Sequence, residues 1–182
     1  MGQTHKYDYS AERRSADISL ADYIDGYRDA ARFLALCREC PAFGRTWVCP
    51  PLEFDADALL ARFSTVHIVG TKITPAEAGL PLSCAEQLIA PERLRLEADL
   101  LKLERAVGGL AAVGIGRCRL CPQGCTRPQG LPCRHPERVR RSLEAYGFDL
   151  GRTASQLLGL EMLWGADGCL PPYLLIVGAV FE

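Results

Sequence analysis

Histidine is scarce in this chain, and long apolar runs are missing from it. Its three histidines, His5, His67 and His135, are scattered, and no Ser-His-Asp arrangement, G-x4-G-K-[ST] phosphate loop or G-x-G-x-x-G turn occurs. The commonest signatures of triad hydrolases, P-loop enzymes and dinucleotide-dependent oxidoreductases are therefore lacking, and Gly114-x-Gly116 is too short to stand for one. The longest apolar run, Tyr173–Phe181, has the length of a strand and falls short of the ~18–20 residues of a membrane span. The first twenty residues hold no apolar core of the kind a secretory signal needs. Lys6 stands where the myristoylation pattern asks for Ser or Thr, so Gly2 carries no lipid signal. Internal repeats and low-complexity tracts are also absent. These readings predict a protein without a membrane anchor.

What the chain does have is an ordinary globular composition and too many cysteines. Its 182 residues are 48% hydrophobic and 24% charged, enough to bury a proper core in one domain without a metal merely to fold. The organisation expected is a polar N-terminal arm over residues 1–20, followed by a single metal-binding domain over 21–182. Nine cysteines, an odd number with no export signal, point to a reducing, cytoplasmic setting in which clustered thiols serve as ligands more often than as disulfides.

Periodicity supplies the elements. Tyr23, Tyr27, Ala30, Ala31 and Leu34 recur at helical spacing between Asp22 and Leu36, with Ser19 and Asp22 resembling a capping box. That helix would deliver Cys37 at its end, ahead of a proline- and glycine-rich loop. Asp55 is placed to cap a short helix through Phe63. Thr65–Gly70 is a β-branched strand. Ser83 and Glu86 form a second capping box, Pro91 suits a first helical turn, and Leu96, Leu100, Leu103 and Val107 line one face before Gly108 and Gly109. Leu110–Ile115 reads as a strand. Pro136 would start a helix turning Val139, Leu143 and Tyr146 inward, with Gly147 as its stop; a short helix around Thr153–Leu158 and a strand from Pro172 to Phe181 follow. The order predicts an α/β fold, with α+β as the other possibility: a small sandwich of three or more strands carrying two cysteine-rich loops. Strand direction is not legible.

Cys118, Cys121, Cys125 and Cys133 lie within sixteen positions, spaced C-x2-C-x3-C-x7-C among glycines and prolines. Closely successive cysteines followed by a more distant one are the habit of 4Fe–4S binding, whereas structural zinc sites present two separated C-x2-4-C knuckles. An iron–sulfur cluster is the first expectation and zinc the alternative. Cys37, Cys40 and Cys49, spaced C-x2-C-x8-C, supply three ligands for a second site, or complete one site shared with the downstream loop. Cys84 and Cys169 are the thiols left to supply a fourth.

From Arg117 to Arg141 there are seven arginines and one acid, Glu137, in a chain of net charge −1. A cluster held by four thiolates is a net anion, so Arg117, Arg119, Arg127 and Arg134 would offset its charge. Arg138, Arg140 and Arg141 read equally well as a solvated helix face. Nucleic acid is an unlikely partner, because the chain is slightly acidic and the loop offers no aromatic ring for a base to stack on. His135, next to Pro136, reads as a helix cap, and His67 as a core or edge histidine within a strand.

Two stretches, CRECPAFGRTWVCPP and GRCRLCPQGCTRPQGLPCRHPERVRRSLEAYGFDL, resemble the DUF2284 family of predicted metal-binding proteins, with the likeness running from about Leu36 to Leu150. The resemblance implies metal ligation at Cys37, Cys40, Cys49, Cys118, Cys121, Cys125 and Cys133, and implies no particular reaction. Three functions are thus expected in turn. The first is electron transfer to, or redox sensing for, a partner enzyme. The second is a zinc module presenting its arginines to nucleic acid or an acidic protein. The third is an enzyme with an open-site cluster at the upstream cysteines.

Overall fold

A computed structural model describes residues 7–113 and 118–182. Strands β1 (Tyr9–Ser19), β2 (Thr65–Pro75), β3 (Leu110–Ala112) and β4 (Leu174–Phe181) form one sheet in the order β1-β2-β4-β3, and every neighbouring pair is antiparallel. Helices α1 (Leu20–Tyr27), α2 (Ala30–Arg38), α3 (Ala56–Leu60), α4 (Ala85–Val107) and α5 (Leu150–Leu158) complete the α/β architecture.

Alternation along the two central strands creates two cores. Val66 and Ile68 of β2 and Val177, Ala179 and Phe181 of β4 face α1, α3 and α5, where Tyr23 and Phe148 stack with ring centroids 4.4 Å apart. Ile73, Ile176 and Val180 face α4 and meet Leu88, Leu96 and Leu100. Burial on both faces explains why β4 is apolar throughout, while β2 mixes its apolar residues with threonines, His67 and Lys72.

The stretch read as a polar arm is, from Tyr9 onward, the edge strand β1, paired residue by residue with β2 from Tyr9↔Pro75 to Ser19↔Thr65. Charges such as Glu12, Arg13 and Arg14 hid it, and charge on an edge strand is what keeps such an edge from pairing with other chains. The helix expected from Asp22 to Leu36 is two. Ser19 Oγ accepts from Asp22 N at α1, and Asp29 Oδ1 accepts from Arg32 N to start α2. A bridge from Arg28 to Phe148 separates them. Pro91 sits inside α4, two turns from its start, and Ser83 makes no cap there; Cys84 is the N-cap.

No regular helix starts at Pro136. Residues after it form turns and a 3₁₀ turn, Glu144–Tyr146, yet Val139, Leu143 and Tyr146 are buried as their spacing required. Of the arginines there, Arg138 is exposed, as a solvated face would have it, whereas Arg140 and Arg141 are half-buried. Arg140 grips Glu104 of α4 with two hydrogen bonds, Nε to Oε2 and Nη2 to Oε1, both 2.5 Å, and Glu104 Oε2 also accepts from Ala111 N of β3 at 2.7 Å. His67 is half-buried, its ring nitrogens bonded to Asp17 of β1 and to Glu182.

Burial pushes the Glu104 carboxyl up, but the Arg140 guanidinium and the Ala111 N–H outweigh it and hold the carboxyl below the usual carboxylate range. A group depressed in this way contributes stability that is complete above the unfolded value of ~4.3 and is lost as pH falls through the folded one. Urea midpoints should therefore fall as pH is lowered from about 5. Glu104→Gln should lower stability at pH 7 by about 2 kcal/mol and flatten that acid dependence. An unchanged pH profile in the variant would count against this assignment.

Candidate metal centre

The upstream loop begins where α2 ends. Cys37 lies in its last turn, Cys40 just past it, and a chain of tight turns carries the backbone to Cys49: Cys40 N bonds to Cys37 O, Phe43 N to Cys40 O and Cys49 N to Thr46 O. Gly44 N donates to Pro50 O at 2.8 Å, closing the loop, and the Pro50–Pro51 peptide is cis. Prolines and the glycine leave no repeating pattern for an element to propagate, so the backbone bends back on itself at each cysteine.

The downstream loop is built the same way. Gly124 N bonds to Cys121 O, a 3₁₀ turn spans Arg127–Gln129, and Thr126, itself buried, donates through Oγ1 to Pro132 O at 2.8 Å. Arg134 Nη1 donates to Gly124 O, bracing the loop across its width. One backbone amide points at sulfur: His135 N donates to Cys133 Sγ at 3.4 Å.

The two loops are docked on each other through Arg127, an association that neither cysteine spacing announced. Its guanidinium donates to the carbonyls of Thr46 (2.8 Å), Cys49 (2.5 Å) and Pro51 and lies 4.9 Å from the centre of the Trp47 ring. Trp47 Nε1 in turn donates to Thr126 Oγ1. A planar fork with several donors on a stacked ring is what arginine supplies and lysine does not.

All nine cysteines are free thiols. Burial pushes the Cys118 thiol up, the Leu120 N–H draws it back, and the neighbouring charges of Cys125, Cys121 and Cys133 add to the rise. Burial likewise raises Cys37, helped by the charges of Glu144, Cys49 and Cys40. Among the described residues, no three His, Cys, Asp or Glu side chains converge on one point that a single ion could occupy. A cubane makes no such demand, since four cysteines hold four irons. The free thiols of the two loops, half-buried except for the exposed Cys40, and the His135 amide directed at Cys133 fit a cluster, because N–H donors to thiolate stabilise its negative charge.

Of the arginines expected beside the cofactor, Arg117 lies outside the described residues. Arg119 pairs with Glu86 of α4, and Arg134 is occupied with its own loop. Cys84 is buried in the α4-side core among Ile73, Leu88 and Leu96, as a small apolar residue. Cys169 bridges to Pro81 and Ala166. His135 accepts no special cap role; its carbonyl takes the N–H groups of Arg138 and Val139.

Sequence missed Glu144. Its carboxyl is drawn up by burial, and Oε2 has no hydrogen-bond partner among the described residues. With Cys37, Cys40, Phe33, Leu36 and Trp164 it lines a cavity of about 780 Å³. The only signal was its place in the SLEAYG stretch, where an isolated acid gives no pattern.

An α/β sheet protein carrying two interlocked, thiol-rich loops is the class these observations define. Residues 25–177 match the family described as "Predicted metal-binding protein (DUF2284)", and the chain belongs to that family. No curated protein and no solved structure matches it. No helix among the described residues is long and apolar enough to cross a membrane.

Proposed function

We propose that this metal-binding protein is an iron–sulfur protein that passes electrons to, or senses redox state for, a partner enzyme. Cys118, Cys121, Cys125 and Cys133 would hold a 4Fe–4S cluster, and Cys37, Cys40 and Cys49 would anchor a second centre. The observation that carries the reading is the joining of the two free-thiol loops by Arg127, whose guanidinium donates to the carbonyls of Thr46 and Cys49. When bound, such a cluster supplies a one-electron couple whose potential depends on hydrogen bonds to sulfur and on burial. His135 N donates one such bond to Cys133 Sγ, and Arg127 ties the loops together.

Protein purified without oxygen should contain iron and acid-labile sulfide and absorb broadly in the visible. Cys118→Ala and Cys49→Ala should each remove about half of the iron if the loops carry separate centres. Complete loss from either change would mean one shared site. Stoichiometric zinc without sulfide, together with salt-dependent nucleic-acid binding, would replace this reading with the zinc one.

A further inference from the structure

A second cavity, of about 300 Å³, lies between the start of α4, the first half of β4 and the segment joining α5 to β4, with Leu82, Ile89, Leu163, Trp164, Leu174 and Ile176 on its walls. Two features of the fold keep this space open. β3 pairs with β4 only from Leu110↔Phe181 to Ala112↔Ala179, after which Val113 N turns to Arg141 O. Among the described residues, no strand therefore lies beside Leu174–Val177 on that side. The joining segment, in turn, is pinned and does not settle into the gap. Leu170 N donates to Leu80 O at 2.7 Å, Leu82 N to Gly168 O at 2.9 Å and Tyr173 Oη to Glu161 O at 2.6 Å. Gly165 sits so close to the chain at Cys169 that a Cβ there would stand 2.5 Å from the Cys169 carbonyl oxygen. Between these pins the segment places large apolar side chains in solvent: Trp164 is 82% exposed and Leu163 36%, next to Leu82 at 46%.

The cavity presents no charge. Every side chain on its wall is apolar except that of Glu144, whose carboxyl is engaged with Ser142 and its own backbone N–H and whose Oε2 is closed to solvent. An ion entering would give up its hydration without gaining a partner, whereas apolar cavities of about half this volume take up benzene. Apolar residues exposed at the mouth of a preformed cavity are the usual build of a small-molecule site. We propose that this cavity binds a small, uncharged, apolar ring compound, which enters past Trp164 and lies against Leu174 and Ile176. The site is separate from the cysteine loops and stands whether or not they hold a metal. Leu150, Met162 and Trp164 also bound the larger cavity beside Cys37 and Cys40, so the two spaces are neighbours.

Isothermal titration of the full chain tests this with three probes of similar size: 1-naphthol, uncharged at pH 7 as phenols are, 1-naphthoate and 1-naphthylmethylammonium. Naphthol should bind saturably at one site, at least about tenfold more tightly than either ion. Trp164→Ala, a change at an exposed position, should weaken binding roughly three- to tenfold. Ala85→Phe fills the cavity from the first residue of α4 and should abolish binding while the circular dichroism stays that of wild type. Ile89→Trp is the second filling variant if the first does not fold. Absence of saturable heat with naphthol, tighter binding of either ion, or unchanged naphthol binding in both Trp164→Ala and a folded filling variant would each overturn the proposal. A wild-type dimer in sedimentation that becomes monomeric in Trp164→Ala, with no naphthol bound, would overturn it in favour of contact between two copies of the chain.

Discussion

Gly147→Ala is expected to destabilise the protein by about 4 kcal/mol, the sum of backbone strain and a contact that cannot relax. Gly147 has φ +91, a region an alanine avoids, and a Cβ built there would stand 2.7 Å from Ala30 Cα. The obstacle is backbone at the start of α2, so no rotamer change relieves it. The same junction carries paired hydrogen bonds, Asp29 N to Gly147 O and Asp149 N to Tyr27 O. Pushing these strands of chain apart would shift α2 against the Glu144 turn and so misplace Cys37. Denaturant unfolding measures the loss, and a variant within about 1 kcal/mol of wild type would show that the junction gives way more easily than its geometry implies.

Arg127→Ala should cost about 3 kcal/mol and lower Tm by roughly 6–12 °C for a chain of this size. Three carbonyls lose a charged donor and Trp47 loses its stacked cation. Arg127→Lys should recover less than half of this, since an ammonium on a flexible stem reaches one or two carbonyls and not the whole set. Limited proteolysis should find the segment between Cys40 and Pro51 newly open. Equal stability of wild type and both variants would mean that the loops hold together without the guanidinium.

Much of this was legible in the chain, for physical reasons that differ by element. β4 was evident because a strand buried on both faces is apolar throughout, and the first half of β2 because Thr65–Gly70 is rich in β-branched residues. α4 was evident because Leu96, Leu100, Leu103 and Val107 keep helical spacing over several turns. β1 was not, since an edge strand with one covered face and a row of charges resembles a solvated arm. The segment after Pro136 kept the inward residues that a helix would need, yet its backbone follows turns, because Arg140 is drawn aside to Glu104 and the spacing of buried residues alone does not fix the path between them. At the site, density of cysteine identified the two loops. Their union did not show, because Arg127 binds carbonyls, and a carbonyl belongs to every residue alike.

One hydrogen bond has a larger meaning than its size. Val113 N donates to Arg141 O at 3.0 Å, so the chain departs from the end of β3 and returns to the same spot with the whole downstream cysteine segment between. That excursion is fastened along its length, by Arg119 to Glu86 and Arg140 to Glu104 of α4 and by Arg127 to the upstream loop, so opening it would loosen the α4 side of the sheet and the upstream loop together.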